Sequence, residues 1–453
     1  MAPKDMEYIE LAHKRAEEKK THVSFPQLKY PSLRDEGLKD SVQWLAGKAM
    51  DDGADGLWRV HDKIYDFSSF LKRHPGGAEW LELSKGTDIT ESFESHHLNP
   101  EVEKMLDKFY VKDATTARNS PFTFKDDGFY RSLKRAVFEE LKKYPIKGRT
   151  PADNITDGLL AAFLTTSALS CWLTNYWGVM AAYIASSFLL CWLTTAAHNY
   201  IHKKTNWRMY LFNLSLWSYR EFRVSHVLSH HSYPNTLLDM EVSTFEPFVY
   251  WNPRKKPSVF VAFLNEVIFF PLVFAHHFVK RILLSVIEQD FFKKHYRWHD
   301  LFGLLLPLWM YFASGASAYD VFIMWLWIVC TSSAIFFHVG VNAAHHHPKI
   351  FKDGDQVDPT PDWGLHELEA VIDRKEINSN LFTVLTVFGE HALHHLFPTV
   401  DHSLLHKLHP IFAEHCEKYK GIFRVSDSYH MLIGQFEMLM KSDPSTIDEK
   451  KTL

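Results

Sequence analysis

Three clusters of histidines in the second half of the chain have spacings that suit metal binding. They are His198-Asn-Tyr-Ile-His202, His226-Val-Leu-Ser-His230-His231 and His391-Ala-Leu-His394-His395. Spacings of three and four residues place side chains on one face of a helix, and imidazole is a suitable neutral ligand for iron and other transition metals. We therefore predict that these eight imidazoles, from separate helices, converge on one polar pocket.

The number of imidazoles helps to select the metal. Zinc prefers four ligands in a tetrahedron, so eight imidazoles are too many for one zinc ion. Two irons can share the electrons that O2 requires, and the oxidant formed in this way can break an unactivated C–H bond. A single pair of histidines would more often belong to an ordinary core or surface, but three clusters in this order argue against that alternative.

A fourth pattern, near the N-terminus, suits a haem. The motif His-Pro-Gly-Gly at residues 74–77 forms a tight turn that exposes an imidazole and lets a flat ring approach. The doublet His96-His97 follows about two short helices later. Two axial imidazoles leave the haem iron no open position, so such a haem transfers electrons and does not bind O2. The alternative is an ordinary His-Pro-Gly turn without a ligand.

The composition excludes several other classes of protein. The net charge of -4 is small and argues against nucleic acid as a partner. Apolar residues make up 46% of the chain although 23% is charged, so the apolar residues must be concentrated in particular segments. The four cysteines are scattered and predict no disulfide framework. The N-terminus is charged and lacks the apolar core of a signal peptide.

Changes in composition divide the chain into five parts. We interpret residues 1–40 as a polar tail, 41–115 as the haem-binding domain, 116–155 as a linker with an interfacial helix, 156–440 as a membrane domain and 441–453 as a cytosolic tail. The interfacial helix is predicted because the stretch from Tyr130 to Lys147 is basic and amphipathic.

Apolar runs predict two hairpins of membrane helices. Leu159–Leu173 and Trp177–Ala197 form the first hairpin, and Leu301–Ala313 and Tyr319–Val341 form the second. The run Val259–Val279 contains a glutamate, which is costly in lipid, so we predict that it lies at the membrane interface. Lysines and arginines flank the hairpins but are absent from their connecting loops. The positive-inside rule then places both termini and every histidine cluster on the cytosolic side.

Together these patterns resemble a known family. Residues Trp58 to Val111 are similar throughout to cytochrome b5 domains, and residues about 155–440 resemble membrane fatty acid desaturases with their HxxxH, HxxxHH-type and HxxHH boxes. The whole chain resembles the cytochrome b5-fused desaturases, among them the insect cytochrome b5-related proteins. The implied fold is an N-terminal α+β cytochrome b5-like haem domain followed by an all-α integral membrane domain, with four transmembrane helices and a cytosolic helical cap.

The resemblance also implies cofactors and their ligands. Haem b is expected on His74 and His97 as axial ligands, with His96 as the alternative to His97. Two non-haem iron ions are expected on His198, His202, His226, His230, His231, His346, His391, His394 and His395. Of these, His346 follows Asn342 by four residues within a histidine triplet, so His345 and His347 are alternatives to it. No catalytic residue is expected beyond the metal ligands.

The activity implied by the resemblance is O2-dependent desaturation of a lipid acyl chain, with electrons from an NADH-dependent cytochrome b5 reductase. Hydroxylation at the same site, or a haem carrier with an inactive desaturase-like anchor, are the alternatives. Two departures from the front-end desaturases leave the position of oxidation open: His391 stands where they usually have glutamine, and Asn199 where they usually have aspartate. The final Lys-Lys-Thr-Leu, residues 450–453, resembles a retrieval signal of the endoplasmic reticulum.

Polar residues near the clusters are open to two interpretations. Asp239 and Glu241 follow the second cluster and can orient ligating imidazoles as hydrogen-bond acceptors, although a solvated acidic turn is equally compatible with them. His402, His406 and His409 follow the third cluster at helical spacing. We interpret these three as surface or supporting residues rather than ligands.

Overall fold

The first part of the chain folds as a small α+β domain. The structure is a computed structural model that describes residues 24–35, 39–246, 248–254, 258–378 and 380–446, so most of the N-terminal tail and the whole of residues 450–453 lie outside the described residues. The elements of the domain are α1 (Ser41–Asp51), β1 (Trp58–Val60), β2 (Lys63–Tyr65), α2 (Ala78–Leu83), α3 (Thr90–His96), α4 (Glu101–Met105) and β3 (Tyr110–Asp113).

Three short strands support the helices of this domain. β2 lies in the middle and pairs antiparallel with both β1 and β3. Strands and helices share one apolar core, which contains Trp58, Val60, Tyr65, Phe67, Leu81, Phe93 and Leu106. The tight turn at residues 74–77 depends on Gly77, whose φ of 110° is a conformation that other residues rarely adopt. The α+β fold predicted from the sequence for this domain is confirmed by this arrangement.

The helix after the haem domain packs within the protein. This helix, α5 (Phe129–Leu141), buries Phe129, Tyr130, Leu133 and Val137. Their partners belong to the C-terminal part of the chain, and the Tyr130 ring lies 4.5 Å from the ring of Trp363. The apolar face of this helix is therefore covered by other protein side chains, and its position at a membrane interface stays a prediction.

The remainder of the chain is mostly helical. Its helices are α6 (Pro151–Trp172), α7 (Tyr176–Ile201), α8 (Tyr219–Phe222), a π-helix (Arg223–His230), α9 (Met240–Ser243), α10 (Val259–Phe269), α11 (Val273–Ile287), α12 (Phe302–Ser314), α13 (Ala318–Ile335), a second π-helix (Phe336–Val341), α14 (Asn342–His345), α15 (Trp363–Ala370), α16 (Leu381–Thr386), α17 (His391–Leu396), α18 (His402–Leu405), α19 (His409–Tyr419) and α20 (Ser428–Met440). Two short parallel strands, β4 (Asp373–Arg374) and β5 (Val425–Ser426), connect the segments on either side of the third histidine cluster.

Capping residues specify where the two helices of the first long hairpin, α6 and α7, begin. The Thr150 side chain accepts a hydrogen bond from the backbone N–H of Asp153, whose carboxylate accepts from the N–H of Thr150, and Pro151 occupies the first turn. After α6 ends, Asn175 caps α7 by accepting from the N–H of Gly178 at 2.7 Å. These caps explain why two apolar helices are separated by so short a loop.

Four helices among the described residues are long and apolar enough to cross a membrane. They are Pro151–Trp172, Tyr176–Ile201, Phe263–Ile287 and Ala318–His338. The number agrees with the prediction, but the set differs. Phe263–Ile287 qualifies by length because the helical path continues through Pro271, whereas α12 is only 13 residues long and does not qualify. Length and composition alone therefore select a different third segment from the one predicted.

Ion pairs hold the haem domain against the rest of the chain. Glu94 on α3 is buried and binds Lys134 of α5 at 2.7 Å as well as Arg131 of the same helix. Glu79 on α2 binds Arg223 at 2.5 Å, at the start of the first π-helix. These ion pairs start from two different helices of the haem domain. They therefore fix the orientation of the domain as well as its position.

Replacement of Glu94 by glutamine is expected to weaken this docking. The variant leaves Lys134 without its carboxylate partner in a buried site, and breaking a buried ion pair in this way costs on the order of 3 kcal/mol. Thermal unfolding of the detergent-purified protein, followed through the haem absorbance, measures the loss. Glu101→Gln removes an exposed pair with Lys104 and should shift the midpoint little. Equal midpoints for the two variants would contradict the role given to Glu94.

Candidate metal centre and haem site

Five buried imidazoles converge beside the membrane helices. They belong to His198, His202, His226, His231 and His394, and one nitrogen atom from each lies within 4.8 Å of all the others. The Nε2 atom of His198 is central, at 3.1 Å from the Nε2 atoms of His202 and His226 and 3.2 Å from that of His394. All three clusters found in the sequence contribute to this first group.

A second group of imidazoles adjoins the first. Nitrogen atoms of His230, His345 and His395 lie within 4.8 Å of one another. His391 joins them through His345, whose Nε2 atom lies 3.1 Å from that of His230 and 2.5 Å from that of His391. The two groups are in direct contact, because the rings of His231 and His395 stack with centroids 3.9 Å apart.

The spacing of the nitrogen atoms fits metal coordination. Metal–imidazole bonds of about 2.1 Å at right angles place two nitrogen atoms about 3.0 Å apart, and separations of 3.1 Å recur in both groups. Neutral imidazoles offer one lone pair each, and several lone pairs directed at one point repel unless a cation lies between them. The donor set of each group therefore fits one metal ion.

The first π-helix explains how one cluster serves both groups. His226 and His231 belong to the first group, whereas His230 belongs to the second. Residues five apart point in different directions on an α-helix, but the wider π-helical turn brings them together, and the backbone N–H of His231 donates to the carbonyl of His226 at 2.8 Å. Such turns are frequent at functional sites. The sequence-based expectation of one α-helical face for each cluster is incomplete here.

Carboxylates orient two rings of the second cluster from behind. The Nδ1 atom of His230 lies 2.8 Å from Asp239 Oδ2, and that of His226 lies 3.2 Å from Glu241 Oε1. A proton held at Nδ1 in this way leaves the Nε2 lone pair free to face the group. Asp239 is 1% exposed, so the alternative of a solvated acidic turn does not apply to it.

Glu367 orients a further ring and was missed by the sequence analysis. Its Oε2 atom lies 2.9 Å from Nδ1 of His395, and both side chains are fully buried. Glu367 lies on α15, 28 residues before its partner. In the sequence it is one glutamate in a short helical stretch, and most glutamates in helices lie on exposed faces. Its role follows only from the contact with His395.

Replacement of Glu367 by glutamine is expected to weaken metal binding by about 10–100-fold, the usual effect of losing a carboxylate behind a metal-bound histidine. The amide keeps the shape of the side chain but is a weaker hydrogen-bond acceptor for Nδ1 of His395 than a carboxylate. Metal content after dialysis against graded chelator measures the change. Glu369→Gln, which loses an ion pair with Arg424, is the matched control. Equal metal retention in the two variants would exclude an orienting role for Glu367.

Burial favours the neutral form of the imidazoles in the first group. It lowers the pKa of His202, His226, His231 and His394 well below the ordinary value, and the neighbouring imidazoles lower each pKa further. A metal requires the deprotonated nitrogen of a neutral ring. The electrostatics of the first group therefore favour binding of a cation over binding of protons.

The histidine triplet contributes a different residue from the one predicted. The ring of His346 stacks on Trp251 with centroids 3.7 Å apart, and its Nδ1 atom accepts a hydrogen bond from Lys352 Nζ at 2.9 Å. His345 instead faces the second group. The reason is local: α14 ends at His345, so the helix directs that side chain inward and the following residue turns away.

The histidines after the third cluster lie outside both groups, as far as the described residues show. His402 is buried with its ring 4.9 Å from that of His394, His406 is exposed, and His409 Nε2 lies 2.6 Å from a carboxylate oxygen of Glu390. His402 thus contacts a member of the first group without joining it.

Two imidazoles of the haem domain face each other across a cavity. The ring centroids of His74 and His97 are 6.2 Å apart. An iron atom bound between two imidazoles by bonds of about 2.1 Å gives a separation of about 6.4 Å, so the pair fits a haem iron. Each Nδ1 atom lies within hydrogen-bond distance of a backbone carbonyl, that of Gly77 at 2.9 Å or of Phe93 at 3.0 Å, which leaves Nε2 free.

The cavity between these rings is about 340 Å³ and is walled by both parts of the protein. Phe67, Phe70, Leu81, Phe93, Leu106 and Phe109 supply apolar walls from the haem domain, as a flat porphyrin requires. His202, Lys203, Lys204, Leu228 and Thr399 complete it from the membrane part. A member of the first imidazole group therefore also lines the haem cavity.

Comparison with known protein families divides the chain into the same two parts as the structure, the small α+β domain and the helical remainder. Residues 43–115 match the family model described as cytochrome b5-like heme/steroid binding domain, and residues 159–426 match the model described as fatty acid desaturase. The second match covers more than half of the chain and contains all three histidine clusters.

Individual relatives extend over most of the chain. A protein named cytochrome b5-related protein from Drosophila melanogaster is 39% identical over 423 residues, which cover 92% of this chain and 95% of that protein. An acyl-lipid (8-3)-desaturase from Mortierella alpina is 26% identical over 82% of this chain and 90% of its own length. Cytochrome b5 type B from Mus musculus is 40% identical over 81 residues, 17% of this chain and 56% of that protein. No solved structure matches.

Proposed function

The chain belongs to the fatty acid desaturase family and carries a fused cytochrome b5-like domain, and from this premise we propose that it is a membrane-bound, O2-dependent oxidoreductase that desaturates lipid acyl chains. The observation that carries the proposal is the convergence of buried imidazoles in two adjacent groups. A haem site in the same chain, open to one of these groups, is the expected source of electrons.

The proposal assigns the two groups to two non-haem irons and the facing pair to haem b. One iron takes His198, His202, His226, His231 and His394, and the other takes His230, His345, His391 and His395. His74 and His97 take the haem. Compared with the set predicted from the sequence, His345 replaces His346.

The chain's own residues prepare this site for oxidation. An iron pair bound there would supply the oxidant, formed from O2 and two electrons, that removes hydrogen from an unactivated carbon. Asp239, Glu241 and Glu367 hold three rings in place by accepting from their Nδ1 atoms. The ligating imidazoles are themselves neutral, and burial of every imidazole excludes bulk water from the reacting centre.

The surroundings of the centre support an apolar substrate. A narrow cavity reaches Glu241, and its lining is half apolar and half polar; the aromatic part consists of Trp217, Phe222, Phe245, Phe336 and Phe337. These aromatic rings offer apolar contact to an acyl chain. The name of the Mortierella alpina relative, an acyl-lipid desaturase, supports the same substrate class.

The contacts of α10 and α11 support the topology with both termini in the cytosol. Near one end, Glu266 accepts from Gln435 of α20, which follows the third histidine cluster. Near the other end, Lys280 binds Glu221 at 3.0 Å and the backbone carbonyl of Lys39 at 3.1 Å. Both ends thus contact segments on the side of the clusters, as expected for an interfacial path. The same topology would place the C-terminus in the cytosol. A retrieval signal at residues 450–453 must face the cytosol to work, so this topology supports a location of the protein in the endoplasmic reticulum.

The first test is the metal content of the detergent-purified protein, measured as total iron against haem. About two non-haem irons per haem are expected from the two imidazole groups. Iron equal to haem, in folded protein never exposed to chelator, would contradict the proposal and favour a haem carrier with an inactive membrane part.

The second test is the reaction itself. Expression in yeast with fed acyl substrates, followed by lipid profiling, is expected to show a new double bond that depends on the intact third cluster. A new hydroxyl group in its place would assign hydroxylation to the same centre. Dependence on NADH in isolated membranes, lost when cytochrome b5 reductase is inhibited, checks the proposed electron supply.

A further inference from the structure

One histidine lines the haem cavity next to a member of the first imidazole group and is assigned as a ligand in neither site. His96 precedes the proposed haem ligand His97 in the chain and lines the same cavity. Its ring is nearly parallel to that of His202, with an interplanar angle of 23° and centroids 6.4 Å apart. Its Nδ1 atom lies 2.9 Å from the Ser92 carbonyl, and its Nε2 atom is buried without a partner in the described structure.

This position completes a short path between the two sites. His97 faces His74 in the haem cavity, and a single peptide bond joins it to His96. The ring of His96 then contacts His202, whose Nε2 atom belongs to the first group. No other residue is needed to connect a proposed haem ligand to a proposed iron ligand.

We propose that His96 carries electrons from the haem to the metal centre through its contact with His202. In each transfer one electron leaves the ferrous haem iron, which becomes ferric, and one ferric non-haem iron becomes ferrous. No bond is made or broken and no proton moves. The proposal rests on the function proposed above, since it needs both a haem and non-haem iron.

Contacts on both sides of His96 keep the two rings in register. On its own helix, the Ser92 hydroxyl lies 3.0 Å from that of Ser232, just after the second cluster. On the other side of the cavity, the carbonyl of Gly76 accepts from the N–H of Thr205 at 3.4 Å, three residues after His202. The stacking therefore follows from how the two parts of the protein are docked.

The test is a single electron transfer in the full-length holoprotein, without turnover. Under argon and without substrate, flash-photoreduced flavin reduces the haem, and the decay of the reduced-haem absorbance reports transfer to ferric non-haem iron. His96→Ala opens a gap between the sites and is expected to slow the decay at least severalfold, because the ring that joins them is lost. His96→Phe fills the gap with a ring and is expected to recover most of the rate.

Controls separate this inference from the function on which it rests. His415→Ala removes a histidine whose Nδ1 atom lies 2.8 Å from the carbonyl of Ile411 on its own helix, and it should keep the wild-type rate. No decay in the wild-type protein would contradict the proposed function itself. A wild-type rate in His96→Ala, or a rate in His96→Phe as slow as in His96→Ala, would overturn the relay. Loss of haem from both variants would instead make His96 a haem ligand and overturn it as well.

Discussion

Replacement of His198 by alanine is expected to release non-haem iron and to abolish product formation while the haem spectrum stays unchanged. The Nε2 atom of His198 lies within 3.2 Å of three others, those of His202, His226 and His394. Its removal therefore disrupts the middle of the first group. We expect activity to fall by more than about 100-fold, beyond the 10–100-fold that loss of a merely orienting partner causes. Iron analysis and lipid profiling on the same preparation measure both effects.

His338 provides the matched control for this variant. It also lies at the end of a long apolar helix, but its Nδ1 atom lies 2.9 Å from the carbonyl of Ala334 and it joins neither imidazole group. His338→Ala should keep its non-haem iron. Full iron content and product formation in His198→Ala would rule out the first group as a metal site.

Replacement of His97 by alanine is expected to have the opposite signature. The variant should lose the haem absorbance and keep its non-haem iron, because His74 alone cannot hold the haem iron from both faces. Product formation supported by NADH should fall to background, since no electrons reach the metal centre. Absorbance spectra, iron analysis and lipid profiling distinguish this pattern from general unfolding, which would remove both metals.

His61→Ala is the control within the same domain. Its Nε2 atom lies 2.8 Å from Glu94, outside the haem cavity, so the variant should retain haem. If His97→Ala bound haem normally while His96→Ala lost it, the assignment of the two neighbouring histidines would have to be exchanged. Such a result would also remove the basis for the proposed relay.

The features that the sequence predicted well depend on local chemistry. The turn at residues 74–77 is specified by proline and glycine in adjacent positions, and the hairpin of α6 and α7 by two apolar runs with caps at their ends. The three clusters were recognisable because the ligands recur at short spacings. In each case the signal is contained within a few turns of one helix, so no knowledge of the tertiary structure was needed.

The features that the sequence analysis missed depend on contacts between distant segments. Choosing His345 over His346 requires the end of α14 and the position of the facing histidines. Glu367 is identified only by its contact with His395. The helix α5 has the composition of a membrane-surface helix, and only the presence of Trp363 and its neighbours shows that the apolar face is covered. Amphipathic patterns specify that a face is buried but not what buries it.

The docking of the haem domain sets the kinetic order of electron delivery. Glu79, Ser92 and Gly76 hold donor and acceptor together in one molecule, so their encounter is governed by an effective concentration and not by the amount of protein in the membrane. In the proposed reaction, dilution should leave the transfer rate per molecule unchanged, and free haem carriers should compete poorly. In the same arrangement each metal centre receives its electrons from one haem only. The second electron of every cycle must wait until that one haem has been reduced again.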